Sequence, residues 1–267
     1  MMEEVALITL HGMGKVKPDY YDELEKELKK ELGSEWRKVS FQNVQYAPIL
    51  QQPEDELWQA MMSEPSNDLD ATRLRQFFLY GFGDAGSLEH SSHRRKDKYL
   101  AVQKEIFKTL EHAYLDIGEN ENRPVIIIAQ SLGCQVISNY IWDAEYGLNI
   151  FDNYVEDENK KLFMKLKTCE NLITTGCNIP LFNAGLQERK CFPRPHPSFR
   201  WDNYYDPDDV LGWPLRQLGD SYNLIVRDHP INAGGLIASW NPFSHGQYWG
   251  DKDVIKPLAS IIRSKLS

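Results

Sequence analysis

The sequence predicts an α/β fold with a mostly parallel central sheet and helices on both faces. Three observations lead to this fold class. Short apolar runs alternate with amphipathic segments along the chain, as in βα units. The runs at 5–10 and 125–129 are continuously apolar strands, and a helical pattern follows each of them. The chain of 267 residues has no internal repeat and no Gly/Ser linker, so we predict a single domain over residues 1–267.

Seven segments have the apolar pattern of strands: residues 5–10, 38–47, 77–80, 125–129, 171–177, 200–205 and 223–227. Amphipathic helices are predicted at 19–32, 99–117, 132–141 and 254–262. Residues 48–98 and 143–165 are predicted to be irregular insertions, which we expect to form a lid or cap. Within the first insertion, the aromatic run at 77–80 is expected to form a strand that ends at Gly81.

The most informative segment is Ala129-Gln130-Ser131-Leu132-Gly133, which separates a predicted strand from a predicted helix. A sharp strand-to-helix turn lifts the hydroxyl of its central serine away from the backbone, toward a base and a substrate. Small residues are needed two positions before and after that serine, because the strand and the helix pass close together there. Ala129 and Gly133 meet this need, so Ser131 is the predicted nucleophile.

A serine hydroxyl needs a histidine to accept its proton and a carboxylate to orient that histidine. We expect the base on a loop beyond the last strand, where His245 lies, and the acid on a loop after an earlier strand, where Asp209 lies. Asp206 is the alternative acid, because it belongs to the same acidic turn. His229 is the rival base, at the end of a predicted strand.

The segment His11-Gly12-Met13-Gly14 follows the first predicted strand. The transition state of acyl transfer carries an oxyanion, which two preorganised backbone N–H groups should face. Glycines let the backbone of this segment approach closely, so we expect the Met13 N–H to be one donor. Leu132, the residue after the predicted nucleophile, supplies the other. His11 is expected to shape the loop.

Together, these motifs resemble the α/β-hydrolase superfamily, in particular its lipases and esterases. The resemblance runs from about Val5 to the C-terminus, with 209–215 similar to the acid loop and 244–249 similar to the histidine loop. The chain order Ser, Asp, His also matches that family. The resemblance implies the α/β-hydrolase fold and hydrolysis of a carboxylic ester through an acyl-enzyme.

Three features depart from the family's pattern. Ala129 replaces the usual glycine, and Gln130 stands where lipases often have histidine. The first predicted strand already carries the oxyanion loop, which implies that the family's extra N-terminal strands are missing. We therefore predict a serine hydrolase of small-molecule esters that needs no cofactor or metal. Two alternatives stay open: a non-catalytic binding protein on the same fold, and an acyltransferase that uses the same triad.

Composition excludes several other classes of function. The net charge of −9 leaves no electrostatic footprint for nucleic acid. No apolar run approaches the ~20 residues of a membrane helix, and the N-terminus has the pattern of a strand, unlike a signal peptide. The acidic residues at 202–209 lack the spacing of a Ca²⁺ loop. The four cysteines lack metal-like Cys-x-x-Cys spacing, so we expect reduced thiols in a cytoplasmic protein without stable membrane insertion.

Overall fold

The computed structural model describes residues 2–13, 16–63, 70–87, 96–233 and 247–266. Its centre is a sheet of six strands, all parallel, in the spatial order β2-β1-β3-β4-β5-β6. The strands are β1 (Val5–Leu10), β2 (Val39–Val44), β3 (Val125–Gln130), β4 (Cys169–Thr175), β5 (Arg200–Tyr205) and β6 (Val226–Pro230). Because parallel strands need crossover connections, helices separate them along the chain.

Helices cover both faces of this sheet. They are α1 (Asp22–Leu32), α2 (Ala47–Ser63), α3 (Thr72–Ser87), α4 (Lys96–Asp116), α5 (Leu132–Tyr146), α6 (Glu158–Met164), α7 (Ile179–Asn183), α8 (Asp220–Ile225) and α9 (Lys252–Arg263). On one face, Val125 and Ile127 of β3 pack in a core with residues of α4 and α5. On the other face, Ile126 and Ile128 pack with residues of α1 and α9. The predicted α/β class, with a parallel sheet and helices on both faces, is confirmed.

The prediction for 48–98 differs most from the structure. The structure has two long helices there, α2 and α3, which pack against each other and which we call the α2–α3 hairpin. The predicted strand at 77–80 is wrong, because these residues lie inside α3. The buried positions of α3 include Tyr80, Gly81 and Asp84, which have helical spacing. Tertiary contact with α2 therefore overrides the β propensity of the aromatic run.

Two further segments refine the predicted elements. Residues 143–165 continue α5 to Tyr146 and then form a short 3₁₀ helix and α6. The side chains of Phe151 and Phe163 from this segment are buried in the core beside α5. The predicted last strand at 223–227 begins three residues later, because α8 occupies the preceding positions.

Candidate active site

The carboxyl ends of the parallel strands meet at one edge of the sheet, which is where ligands bind in open α/β sheets. Gly12 follows β1, Ser131 follows β3, Asn178 follows β4 and Asp209 follows β5. Because β3 lies between β1 and β4, Ser131 is flanked by the loops that carry Gly12 and Asn178. Three of the predicted site segments therefore lie on neighbouring or nearby strand ends.

Ser131 occupies the sharp turn that its sequence predicts. It lies between the last residue of β3 and the first residue of α5, with φ 51° and ψ −120°. A positive φ is unfavourable for a residue with a side chain, and such strain is of order 1–3 kcal/mol. The surroundings hold the turn in place, since the Ser131 N–H donates to the Thr175 carbonyl at 3.0 Å.

Close backbone packing explains the small residues around this turn. A Cβ on Gly133 would lie 2.5 Å from the carbonyl oxygen of His11 and 2.9 Å from that of Leu10. A Cβ on Gly12 would lie 2.9 Å from the Ser131 Cβ. All three distances are shorter than van der Waals contact. The loop after β1 and the turn after β3 can therefore touch only because glycine occupies both positions.

The Ser131 hydroxyl is fully buried and has one amide neighbour. Asn178 Nδ2 donates to Ser131 Oγ at 3.3 Å, and the Asn178 side chain is itself fully buried. The Asn178 Oδ1 atom accepts no hydrogen bond from any residue in the described part of the chain. Sequence reasoning missed this residue. Its only signal is its place directly after β4, at the same sheet edge as the serine.

The two predicted oxyanion donors each follow one member of the Gly12–Ser131 contact along the chain, Met13 after Gly12 and Leu132 after Ser131. Leu132 is the first residue of α5, so its N–H lacks an intrahelical acceptor and lies at the positive end of the helix dipole. Neither the Met13 nor the Leu132 N–H donates to a carbonyl among the described residues. Both groups can therefore donate to an anion. The Met13 sulfur lies against α3, where a Cβ on Gly81 would come within 2.8 Å of it.

The two candidate acids have different surroundings. Both carboxylate oxygens of Asp206 accept backbone N–H groups at 2.8 Å, from Asp208 and from Ala233. Asp206 therefore fixes the turn after β5 and ties it to the chain after β6. Asp209 accepts the Leu211 N–H at 3.0 Å on one oxygen and the Tyr248 hydroxyl at 2.8 Å on the other. Both carboxylates are buried.

Tyr248 connects these two aspartates. Its hydroxyl accepts the Asp206 N–H at 3.0 Å and donates to Asp209. Burial, and next the charge of Asp209, raise the pKa of Tyr248, so the phenol stays protonated and remains a donor. Sequence reasoning placed Tyr248 in the histidine loop without giving it this role.

The predicted base, His245, lies outside the described residues, as does Gly14 of the predicted oxyanion loop. The rival base, His229, lies in β6 and its Nε2 contacts Asp202 Oδ1 at 2.8 Å. Three strand spacings of about 4.8 Å separate β6 from β3, so His229 is roughly 14 Å from the serine turn. That separation is too large for a direct proton transfer, and His245 stays the predicted base.

His11 has the surroundings of a structural histidine. Its ring stacks on Tyr46 with centroids 3.8 Å apart, and Nδ1 lies 2.8 Å from the Gly12 carbonyl oxygen. Burial lowers the pKa of His11 to about 4, so the ring is neutral at physiological pH. The neutral ring therefore contacts the Gly12 loop without adding charge near Ser131.

The cysteines do not take part in this arrangement. All four are free and buried. Cys134, three residues after Ser131, contacts the Ala129 carbonyl through its sulfur at 3.5 Å. Burial, and next its neighbour Cys177, raise the pKa of the Cys134 thiol, which disfavours the reactive thiolate.

Within the described ranges, no group of three or more His, Cys, Asp or Glu residues is arranged to hold a metal ion. None of the described helices is long and apolar enough to cross a membrane. The chain was also compared with known proteins. No protein-family model matches it, and no curated protein is significantly similar to it in sequence.

Proposed function

We propose that this chain is a serine hydrolase on an α/β-hydrolase fold, which cleaves a small carboxylic ester through an acyl-enzyme on Ser131. The observation that carries the proposal is the strained turn of Ser131, with φ 51°, at the carboxyl edge of a parallel sheet. Backbone strain persists only where the surrounding structure holds it, and strained residues cluster at active sites. The glycine contacts of Gly12 and Gly133 bring the predicted oxyanion loop directly against that serine.

In the proposed reaction, Ser131 Oγ attacks the ester carbonyl carbon while His245 accepts the hydroxyl proton. The N–H groups of Met13 and Leu132 stabilise the oxyanion that forms. Collapse of the intermediate expels the alcohol, which takes the proton from His245 and leaves the acyl group on Ser131. Water then repeats the sequence and releases the acid. Asp209 orients His245 and stabilises its cation.

Asn178 gives the proposal a further positioning residue. Its amide donates to Ser131 Oγ, so it occupies one lone pair and directs the hydroxyl proton elsewhere. This orientation leaves the hydroxyl proton for a base on the loop beyond β6. The location we propose is cytoplasmic, in keeping with four unbridged cysteines.

Substrate access requires movement, because Ser131 is fully buried. We propose that the α2–α3 hairpin is the lid, since its Gly81 contacts Met13 of the predicted oxyanion loop. Phe78 and Phe82 on α3 are 46% and 71% exposed, so the hairpin already presents apolar surface that an acyl chain could contact.

The test is the hydrolysis of a short-chain p-nitrophenyl ester by Ser131→Ala. We expect kcat/KM to fall by at least about a thousandfold while the melting temperature is retained. Ser138→Ala is the matched control, because it removes the same hydroxyl from a position two turns along α5. Ester turnover that survives in Ser131→Ala, or that is lost equally in Ser138→Ala, would reject the assignment.

The complete burial of Ser131 favours one alternative, a non-catalytic binding protein that keeps the hydrolase fold. Labelling with a fluorophosphonate separates the two functions. A catalytic serine is labelled in the wild type and not in Ser131→Ala, whereas a relic is labelled in neither. If labelling succeeds, product analysis with competing alcohols and amines distinguishes a hydrolase from an acyltransferase.

A further inference from the structure

A second cleft lies at the amino edge of the sheet, opposite the edge that carries Ser131. Its volume is about 1030 Å³, and the first residues of β5 and β6, Arg200 and Val226, line it together with Glu170 near the start of β4. Ile261 of α9 and Lys265, two residues beyond the end of that helix, close one side. The proposed hydrolase chemistry makes no use of this cleft.

The cleft is strongly basic, although the chain as a whole has a net charge of −9. Among the residues that the structure describes, five cations and two carboxylates line it, which gives a net charge of +3. The cations are Arg194, Arg200, Arg216, Arg227 and Lys265. Both carboxylates already have partners: Glu170 pairs with Lys265 at 2.5 Å, and Asp228 accepts the backbone N–H groups of Leu215 and Arg216. Because the two carboxylates already have partners, their repulsion of an incoming anion is weaker than the attraction from the arginines.

Two of the arginines are held in place by neutral acceptors. Arg194 donates to the Leu224 carbonyl at 2.9 Å, and Arg216 donates through Nε to Asn223 Oδ1 at 2.9 Å. Because these acceptors are uncharged, they do not neutralise the positive charges of the two guanidinium groups that line the cleft. Their remaining N–H groups can still donate to a ligand.

The other two arginines, Arg200 and Arg227, are exposed and lie on adjacent strands. Arg227 is in register with Asp202, which is two residues beyond Arg200 on β5, so both arginine side chains leave the same face of the sheet. Neither guanidinium donates to, or pairs with, any residue in the described part of the chain. Two parallel strands thus present two guanidinium groups without acceptors at one end of the cleft.

From this arrangement we propose that the cleft binds a small molecule with several phosphate groups. Guanidinium forks match phosphate oxygens in pairs, and four of them around one cleft suit a ligand with more than one such group. The volume is typical of the larger small-molecule sites. The one aromatic residue among the described lining residues, Phe199, is 1% exposed, so recognition relies on charge and not on ring stacking.

Calorimetric titration of the full chain with tripolyphosphate tests the proposal. We expect one saturable site whose affinity falls as NaCl is raised, because the contacts are largely ionic. Arg200→Ala combined with Arg227→Ala should weaken binding by about tenfold or more, since both lost groups make charge-assisted hydrogen bonds. The matched control is Arg37→Ala combined with Arg75→Ala, which removes two arginine charges outside the cleft and should leave the affinity unchanged.

Further arms separate the possible outcomes. The charge-conserving pair Arg200→Lys and Arg227→Lys should bind with intermediate affinity, and it serves as the test if the alanine pair does not fold. Ser131→Ala should bind as the wild type does, so that loss of ester hydrolysis and loss of phosphate binding remain distinguishable. Equal weakening in both double-alanine variants, absence of saturation, or citrate binding as tight as tripolyphosphate would overturn the proposal.

Discussion

The carboxyl edge of the sheet and the α2–α3 hairpin differ in how closely their parts pack. At the edge, a Cβ on Gly12 or on Gly133 would lie within 2.9 Å of a neighbouring atom, and the strained Ser131 is fully buried. The hairpin instead buries two carboxyl groups, Glu54 and Asp84, and leaves Phe82 71% exposed. A strained backbone conformation persists only where tight packing around it prevents relaxation. A segment that moves needs, in contrast, an interface of low stability. The two regions therefore suit the roles that we propose for them, a fixed catalytic edge and a mobile lid.

The largest expected effect concerns the predicted acid at the carboxyl edge of the sheet. Asp209→Asn should lower kcat for a p-nitrophenyl ester by about 10³–10⁴-fold, because an amide neither orients nor stabilises the histidine cation. Asp206→Asn should keep kcat within about tenfold, and should instead lower the free energy of unfolding by roughly 1–3 kcal/mol, because its amide then faces a backbone N–H. Steady-state kinetics and urea denaturation of both variants make the measurement. Reversed outcomes would make Asp206 the acid.

The next effect concerns the glycine contacts that define the packed edge. Gly133→Ala should lower the free energy of unfolding by about 3 kcal/mol, because its Cβ would meet the His11 and Leu10 carbonyl oxygens. Gly185→Ala is the control, since no heavy atom lies within 4 Å of its Cβ position, and it should change stability by less than about 0.5 kcal/mol. Urea unfolding measures both. If Gly133→Ala leaves the free energy of unfolding unchanged, the backbone at this edge adjusts to the added Cβ, and the edge is not more rigidly packed than the hairpin.

The smallest effect concerns the carboxyl pair inside the hairpin. Burial, and next the neighbouring Asp84, raise the pKa of Glu54 from 4.5 to about 8, while Lys98 opposes this shift. The folded chain thus holds a proton that the unfolded chain releases, so this stabilising contribution is complete below pH 4.5 and is lost as the pH rises through 8. Between pH 5 and 9, the wild type should therefore lose more in melting temperature than Glu54→Gln, by about 2–4 °C for each kcal/mol of stability that the retained proton contributes.

Glu56→Gln serves as the control for that experiment, because Glu56 is exposed on the same helix. Its melting temperature should follow the wild-type pH dependence. If Glu54→Gln also follows the wild type, the buried pair does not set the stability of the hairpin. If the pH dependence of ester hydrolysis moves together with that of melting, the hairpin and the active site are linked.

The same two regions also differ in how far the sequence predicts them. The turn at Ser131 is determined locally, because a strand, a serine flanked by small residues and a helix follow one another within residues 125–146, and the structure has them at the predicted places. The helical structure of the hairpin, in contrast, is not determined by local sequence. The run at 77–80 has β propensity, and only the burial of Tyr80 and Asp84 against α2 makes it helical.

Two residues of the candidate site could not have been found from the sequence. Asn178 acquires its contact with Ser131 only because β4 lies beside β3, and Tyr248 acquires its two aspartate contacts only through the position of the chain before α9. Strand order is set by the packing of the whole sheet. An asparagine or tyrosine on a loop carries no local sign of the strand beside which it will lie.

The four buried cysteines allow the rate at which the core opens to be measured by thiol labelling. Cys134, Cys169, Cys177 and Cys191 lie in or around the sheet and α5, and none of them belongs to the α2–α3 hairpin. A thiol-specific reagent that becomes coloured on reaction should therefore not label the chain when only the α2–α3 hairpin moves. Colour should develop only when the core around the sheet opens. The rate of labelling therefore reports opening of the core separately from movement of the hairpin.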